Sequence, residues 1–560
     1  MILKSFIDPI VIPEVDVAAF LIDTIDQSPY WQDPQRPVYI DAKTGETVTI
    51  GELVSNATAI ASGWQNVARL PRGAVVALLS PNDVHYAVAL LSVTLAGGMA
   101  TPVNPAFTVD ELVHQLKDSG TTFIVADRDF LEIAGQAASK VGIAASNILA
   151  LQPHRHSTST KSLYDLRCDR PFRRLSLHRD EVHTTTAYLC YSSGTTGRSK
   201  GVETTHYNVV ANACQVRTFN RLMTSVQDDR CWIGILPFYH IYGLHTLLHL
   251  NLVQGCPVVS MRKFDMLNFL ESVPKYRINY AHLVPPIILW LLRHPAVKGH
   301  DLSSLVGITC GAAPLPLALA KEFGHRFSSI ALTEGYGMTE LSPVSHLAPR
   351  ESRYINSIGV LIPNTEARFV DDNGRVLGYN QTGELCIRGP QVMKGYLNNP
   401  EATRATIDCK GFLHTGDVGH VNEDGYFFIS DRKKELIKYK GFQVAPAELE
   451  ALVITHPQVQ DVAVIGMHDH EHVTEVPKAF VVSADPSSVR TEVEQRTLAA
   501  DIVQFVNCRV ANHKRLRGGV EFVSEIPRSA TGKILRRVLR NREQTNAKRL
   551  GSSGTLRAQL

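Results

Sequence analysis

The chain has 560 residues, 44% of them hydrophobic and 20% charged, with a formal net charge of +3. That length exceeds what one hydrophobic core organises, so two or more domains are expected, and the near-neutral charge gives no electrostatic footing for nucleic acid. The nine cysteines (168, 190, 214, 231, 256, 310, 386, 409 and 508) form no Cys-x-x-Cys pair, which favours a reducing compartment with neither disulfides nor a structural zinc.

The opening stretch, MILKSFIDPIVIPEVDVAAFLID, sets prolines and acids where a secretory signal needs an unbroken apolar core. From there to about residue 180, helical and strand patterns alternate. SNATAIASGWQNVARL and PNDVHYAVALLSVTLAGG have helical spacing, while GAVVALLS, MATPVNP and TTFIVAD read as strands. Such alternation implies a parallel sheet covered by helices. The apolar run from Tyr86 to Thr101 contains hydroxyls and two adjacent glycines and falls short of the ~18–20 apolar residues of a membrane span. It reads as a buried helix, and the protein as soluble. LQPHRHSTSTKS, near residues 151–162, reads as a polar surface loop whose histidines lack a third metal ligand.

A strand-like run from Thr185 to Cys190 then empties into Tyr191 to Gly201, YSSGTTGRSKG. Glycines let successive backbone N–H groups converge on an anion, hydroxyls add neutral donors, and Lys200 adds a point charge suited to phosphate. The loop is not a Walker A motif, because Ser199 stands where that motif needs glycine and no helix opens directly after the lysine. A flexible Ser/Gly/Thr linker has the same composition, but not this placement between an apolar strand and a lysine.

From 180 to about 360 the α/β pattern continues. LPFYHIYGL flanks His240 with aromatic groups, an arrangement that a core histidine also allows. GITCGAAPL runs a strand into small residues, Gly311 to Pro314, that permit close approach of a flat ring. EGYGMTE brings Tyr336, Gly337, Thr339 and Glu340 together, and one carboxylate suffices for Mg²⁺ when phosphates and water complete its shell. From 360 to about 430 the chain turns β-rich, with DNG and EDG hairpin signals, and Thr415-Gly416-Asp417 sets a carboxylate at a tight turn. The charged run from Asp431 to Lys440 ends that unit, and Pro446 opens an amphipathic helix, AELEALVITH. Two further strands, DVAVIGM and KAFVVS, a helix near 490–508 and the loop PRSATGK, which carries Lys533, complete the C-terminal part.

In this order the motifs resemble the acyl-adenylate-forming superfamily of acyl-CoA ligases, luciferases and adenylation domains. The likeness covers nearly the whole chain, from YSSGTTGxxKGV to PRSxTGK. It departs at Arg198-Ser199, where a proline is more usual at the second position. GAAPL, YGMTE, GELCIRGP and KYKGFQVAPAELE are similar to 4-coumarate–CoA ligase-like enzymes in particular.

The resemblance implies an α/β fold. A large N-terminal region, residues 1–430, would hold two α/β subdomains plus a small β unit. A hinge at 431–434, pivoting on Lys434, would lead to a small mobile α+β lid at 435–540 and a flexible tail at 541–560. It implies that Ser192, Ser193, Gly194, Thr195, Thr196, Gly197 and Lys200 cradle phosphate. Gly311, Ala312, Ala313, Pro314, Tyr336 and Gly337 would pack on adenine and line the acyl pocket. Thr339 would touch phosphate, Glu340 hold Mg²⁺, and Asp417 and Arg432 hold ribose. Lys438, Gly441 and Gln443 would face the site in one lid orientation, His240 would orient the entering thiol, and Lys533 would neutralise charge on the α-phosphate.

The implied reaction is ATP-dependent activation of a carboxylic acid, aryl-alkenoic or medium-chain, followed by transfer to coenzyme A. A stand-alone adenylating enzyme that loads a carrier protein and a silent nucleotide-binding scaffold are the alternatives. The terminal Ala558-Gln559-Leu560 is similar to a peroxisomal address read by an import receptor, so peroxisome, otherwise cytoplasm, is the expected location.

Overall fold

The computed structural model describes residues 1–153, 160–192, 199–224, 230–352, 354–440, 442–469, 474–529, 532–543 and 545. Ser193 to Gly197, Gly441, both histidines of the polar loop and the terminal tripeptide lie outside the described residues.

Local signals place the elements. Helix Ile50–Asn66 starts where Thr49 Oγ1 accepts from the Glu52 N–H (3.2 Å) and Glu52 Oε2 accepts from the Thr49 N–H (2.9 Å), a reciprocal cap. Helix Tyr86–Leu95 is buried along all its residues, which explains an apolar run with no polar face. Among the described residues no helix is long and apolar enough to cross a membrane.

Two large sheets carry the site. The first orders its strands as Gly395–Tyr396, Lys200–Thr205, Thr186–Ser192, Met99–Val103, Val75–Leu79, Thr121–Ala126 and Ile148–Ala150. The second runs Val360–Leu361, Val344–Leu347, Ala331–Gly337, Gly307–Cys310, Tyr280–Leu283, Trp232–Gly234, Val258–Ser260, Pro37–Asp41 and Thr47–Thr49. Parallel strands such as Val75–Leu79 and Gly307–Cys310 are buried at every residue, whereas Ala331–Gly337 is only partly buried along its length. The two sheets do not follow the division of the chain near residue 180. Strand Pro37–Asp41 pairs with Val258–Ser260 of the second sheet, and Lys200–Thr205 returns to the first.

A five-stranded antiparallel sheet follows: Leu3–Lys4, Glu366–Val370, Gly383–Arg388, Leu413–Val421 and Phe427–Arg432. The EDG signal closes its last hairpin, where Asn422 Oδ1 accepts from the Tyr426 N–H at 2.9 Å. After Arg432 the chain builds a separate core. Ile437, Val444, Leu449, Val464, Val481 and Ile502 pack the hairpin Ile437–Tyr439/Phe442–Val444 and the strands Val459–Asp469, Thr474–Ser483 and Val520–Phe522 against helices Pro446–Val453 and Glu492–Asn507. Arg536 ties this unit together. It is buried, donates to both Glu450 oxygens at 2.8 and 2.7 Å, and ion-pairs with buried Glu435 of the charged run.

Candidate active site

The glycine-rich loop is the connection of a β-hairpin. Thr186–Ser192 runs antiparallel to Lys200–Thr205, with Ser192 opposite Lys200, so the two ends of the loop meet across one strand pair. The loop's base is anchored by the Tyr191 hydroxyl, which donates to Asp118 Oδ2 at 2.7 Å. Lys200 is exposed, and its Nζ lies 4.7 Å from the centroid of the Tyr396 ring. The Tyr396 hydroxyl in turn donates to Glu340 Oε1 at 2.9 Å. Glu340 and Thr339 are both buried. Among the described residues that hydroxyl is the side-chain donor to Glu340. No cluster of three metal-ligating side chains occurs among the described residues.

A second group comes from the antiparallel sheet. Asp417 and Arg432 are directly opposed across their strands, and Arg432 Nε lies 3.2 Å from Asp417 Oδ1. The Tyr336 hydroxyl donates to Asp417 Oδ2 at 2.5 Å. Burial, then the Asp417 charge, pushes the Tyr336 phenol well up, so it stays a hydrogen-bond donor. Its ring meets His346 edge-on at 5.6 Å. Gly311 lets Tyr242 approach, since a Cβ there would lie 3.2 Å from that ring. Ala312 sits at φ 68°, a left-handed conformation that costs an L-residue on the order of 1 kcal/mol.

Lys533 closes the group from the C-terminal unit. Its loop turns through Gly532 at φ +78°, where a Cβ would lie 3.3 Å from both Val284 and Pro286 of the large region. Arg528 braces the turn by donating to the Gly532 carbonyl at 2.9 Å while pairing with Asp461 at 2.7 Å. Burial, then the Arg432 charge, pushes the Lys533 ammonium down to about 8, with Glu435 and Asp417 acting against the shift. His240 feels Lys533 in turn. Burial, then that ammonium, pushes the imidazole down to about 4, so it is neutral near pH 7. His240 Nδ1 accepts from the Tyr242 N–H at 3.2 Å and so caps helix Ile241–His245, which leaves the proton on Nε2.

His240, Gly311, Ala312, Tyr336 and Gly337 line one cavity, with about 740 Å³ of empty space including its open mouth. Ala313 and Pro314 continue the same loop but do not line it. Lys438 and Gln443 lie elsewhere. They oppose each other on the small hairpin with both side chains exposed, and Lys434 is exposed as well. Sequence reading missed Tyr396 and Asp118, since a tyrosine and an aspartate outside the motifs carry no signal until folding brings them to Glu340 and Tyr191, and it gave no role to Arg528, which lies within the PRSATGK motif and braces its turn.

Comparison with known proteins agrees with this geometry. Residues 30–397 match the AMP-binding enzyme family, and residues 448–533 match the AMP-binding enzyme C-terminal domain. The chain is 37% identical over 520 residues to 4-coumarate-CoA ligase 1 of Narcissus pseudonarcissus, covering 91% of each protein. It is 38% identical over 526 residues to 4-coumarate--CoA ligase 5 of Oryza sativa subsp. japonica, covering 90% of this chain and 91% of that one. Among solved structures, ATP-bound MatB from Rhodopseudomonas palustris superposes with a TM-score of 0.81 at 28% identity, covering 94% of this chain and 98% of that one. The chain belongs to the AMP-binding enzyme family.

Proposed function

We propose that this chain is an AMP-forming acyl-CoA ligase that converts a carboxylic acid and ATP to an acyl-adenylate and pyrophosphate, then passes the acyl group to coenzyme A. The observation that carries this reading is Lys533. The loop of this C-terminal lysine packs through Gly532 on Val284 and Pro286 of the large region, and its ammonium feels the charges of Arg432 and Asp417 and acts on His240, which lines an apolar cavity. A carboxylate is a poor electrophile because its leaving group would be oxide, and attack on the α-phosphate makes AMP the leaving group instead. The barrier is then largely positioning and crowded negative charge. Asp417 would accept from the ribose hydroxyls, with Arg432 and Tyr336 fixing its orientation. Lys200 and the glycine-rich loop would hold the outer phosphates, and Thr339 would contact phosphate. Lys533 would offset charge between the attacking oxygen and the α-phosphate.

Glu340 and the Tyr396 hydroxyl fit a Mg²⁺ site, and the ion would supply further neutralisation when bound. Neutral His240, with its proton on Nε2, suits orientation of an incoming thiol better than base catalysis. We further propose that residues 1–430 form the adenylating domain and that the lid, 435–540, turns about Lys434 after adenylation. That movement would withdraw Lys533 and bring Lys438 and Gln443, exposed in the present arrangement, toward the site together with Gly441.

The named relatives act on 4-coumarate, which supports an aryl-alkenoic acid as the substrate class. The test is pyrophosphate and AMP release across cinnamic, benzoic and fatty acids, with and without coenzyme A. Acid-dependent AMP together with acyl-CoA supports the ligase. Pyrophosphate release that gives no acyl-CoA supports a carrier-protein acceptor instead.

A further inference from the structure

The inner end of the cavity is not a hydrocarbon slot. Trp232 pairs with Tyr280, Tyr280 with Gly307, and His282 with Thr309, so these side chains share one face of the second sheet with Gly311. Four residues separate the Gly307 row from Gly311, so the Trp232 row lies ~13 Å inward of the mouth at ~3.3 Å per residue. There His282 is boxed by aromatic rings, with centroids 5.0 Å from Trp232, 5.3 Å from Tyr280 and 6.1 Å from Tyr242. The Tyr280 hydroxyl is satisfied by Thr309 Oγ1 at 2.7 Å.

The other polar atoms are not satisfied. Both ring nitrogens of His282 (7% exposed) and Nε1 of Trp232 (0% exposed) have no hydrogen-bond partner. His245, on the facing helix, leans toward the Asn212 carbonyl without completing a hydrogen bond. Its helix continues as a π-helical turn, Thr246–Leu250, a rare form frequent at functional sites. Buried polar groups are almost always paired, so unpaired donors and acceptors clustered on one cavity wall point to a ligand that pairs them. Burial pushes His282 down to about 3, so the ring is neutral and offers one donor and one acceptor. Among the described residues no Lys, Arg, Asp or Glu lines the cavity, so the group it receives is uncharged.

We propose that His282 and Trp232 are specificity-determining residues that read a hydroxyl on the far end of the acid. An imidazole that both donates and accepts, beside an indole that donates, matches a hydroxyl and leaves a bare hydrocarbon end unrewarded. The proposal rests on the ligase reading for its substrate class.

The test compares cinnamic with 4-hydroxycinnamic acid, and benzoic with 4-hydroxybenzoic acid, by kcat/KM for pyrophosphate release. Wild type should prefer the hydroxylated member by about 10- to 100-fold. His282→Leu should erase that preference, mainly by raising KM for the hydroxylated acid, and its melting temperature should hold or rise because no protein hydrogen bond is lost. Trp232→Phe keeps the ring packing and should narrow the preference several-fold, which decides the matter if His282→Leu does not fold. Calorimetric titration of the same acids reads the preference without turnover. A silent assay with a retained binding preference therefore overturns the ligase reading alone. Equal handling of both members by wild type, or an undiminished preference in His282→Leu and Trp232→Phe, overturns the proposal.

Discussion

The proposed role needs Lys533 as a cation, yet it is half-buried and feels the charge of another cation, and that conflict has a measurable edge. Burial and Arg432 hold its folded pKa at about 8, below the ordinary lysine value of 10.5. Because kcat/KM reports ionisations of the free enzyme, the adenylation half-reaction should lose activity as pH rises through 8. A group with that pKa is roughly nine-tenths protonated at pH 7 and one-tenth at pH 9, so kcat/KM should fall about tenfold across that interval. An unperturbed lysine would give no fall over the same range. The assay is pyrophosphate release without coenzyme A, whose thiol titrates in the same window. In Lys533→Arg the limb should vanish, at a lower overall rate, because guanidinium stays charged. The unfolded chain binds the proton more tightly than the folded one. The stability cost is therefore fully present below pH 8 and is relieved as pH rises from 8 toward 10.5. Lys533→Met should remove that rise from the difference between wild-type and mutant melting curves. A flat wild-type profile from pH 7 to 9.5, or an unchanged limb in Lys533→Arg, refutes the reasoning.

Other outcomes follow from the same geometry. Asp417→Asn removes the charge that Arg432 and Tyr336 orient, and should raise KM for ATP by about 10- to 100-fold, read from initial rates. Gly532→Ala forces an L-residue into φ +78° against Val284 and Pro286. It should slow pyrophosphate release about tenfold while leaving acyl-CoA formation from supplied acyl-adenylate within a few-fold of wild type. Arg536→Met strands buried Glu435 and Glu450 without their cation, and should cost about 3–5 kcal/mol in the C-terminal unit, seen by chemical denaturation.

Much of the site was legible because its parts are short local patterns. Gly311, Tyr336, Asp417 and Lys533 fall where turn and strand chemistry put them, and sheet register then brings Asp417 opposite Arg432. What stayed hidden depends on contacts between residues far apart in the chain. Tyr396 reaches Glu340 from a two-residue edge strand, and His282 and Trp232 become a polar pair only when their strands align. Strand Pro37–Asp41 joining the second sheet was likewise unreadable, since alternation shows that strands exist but not which neighbour they take. Lys438 and Gln443 lie exposed on the small hairpin, away from the cavity, and no local pattern encodes that placement.

The most direct measurement splits the two half-reactions in Lys533→Ala, using cinnamic and 4-hydroxycinnamic acids, with acyl-CoA identified by mass spectrometry. The mutant should lose about 10²–10³ in pyrophosphate release yet convert supplied acyl-adenylate and coenzyme A to acyl-CoA at near wild-type rate. Equal loss in both half-reactions, or unimpaired pyrophosphate release, would contradict the placing of Lys533 at the adenylation step.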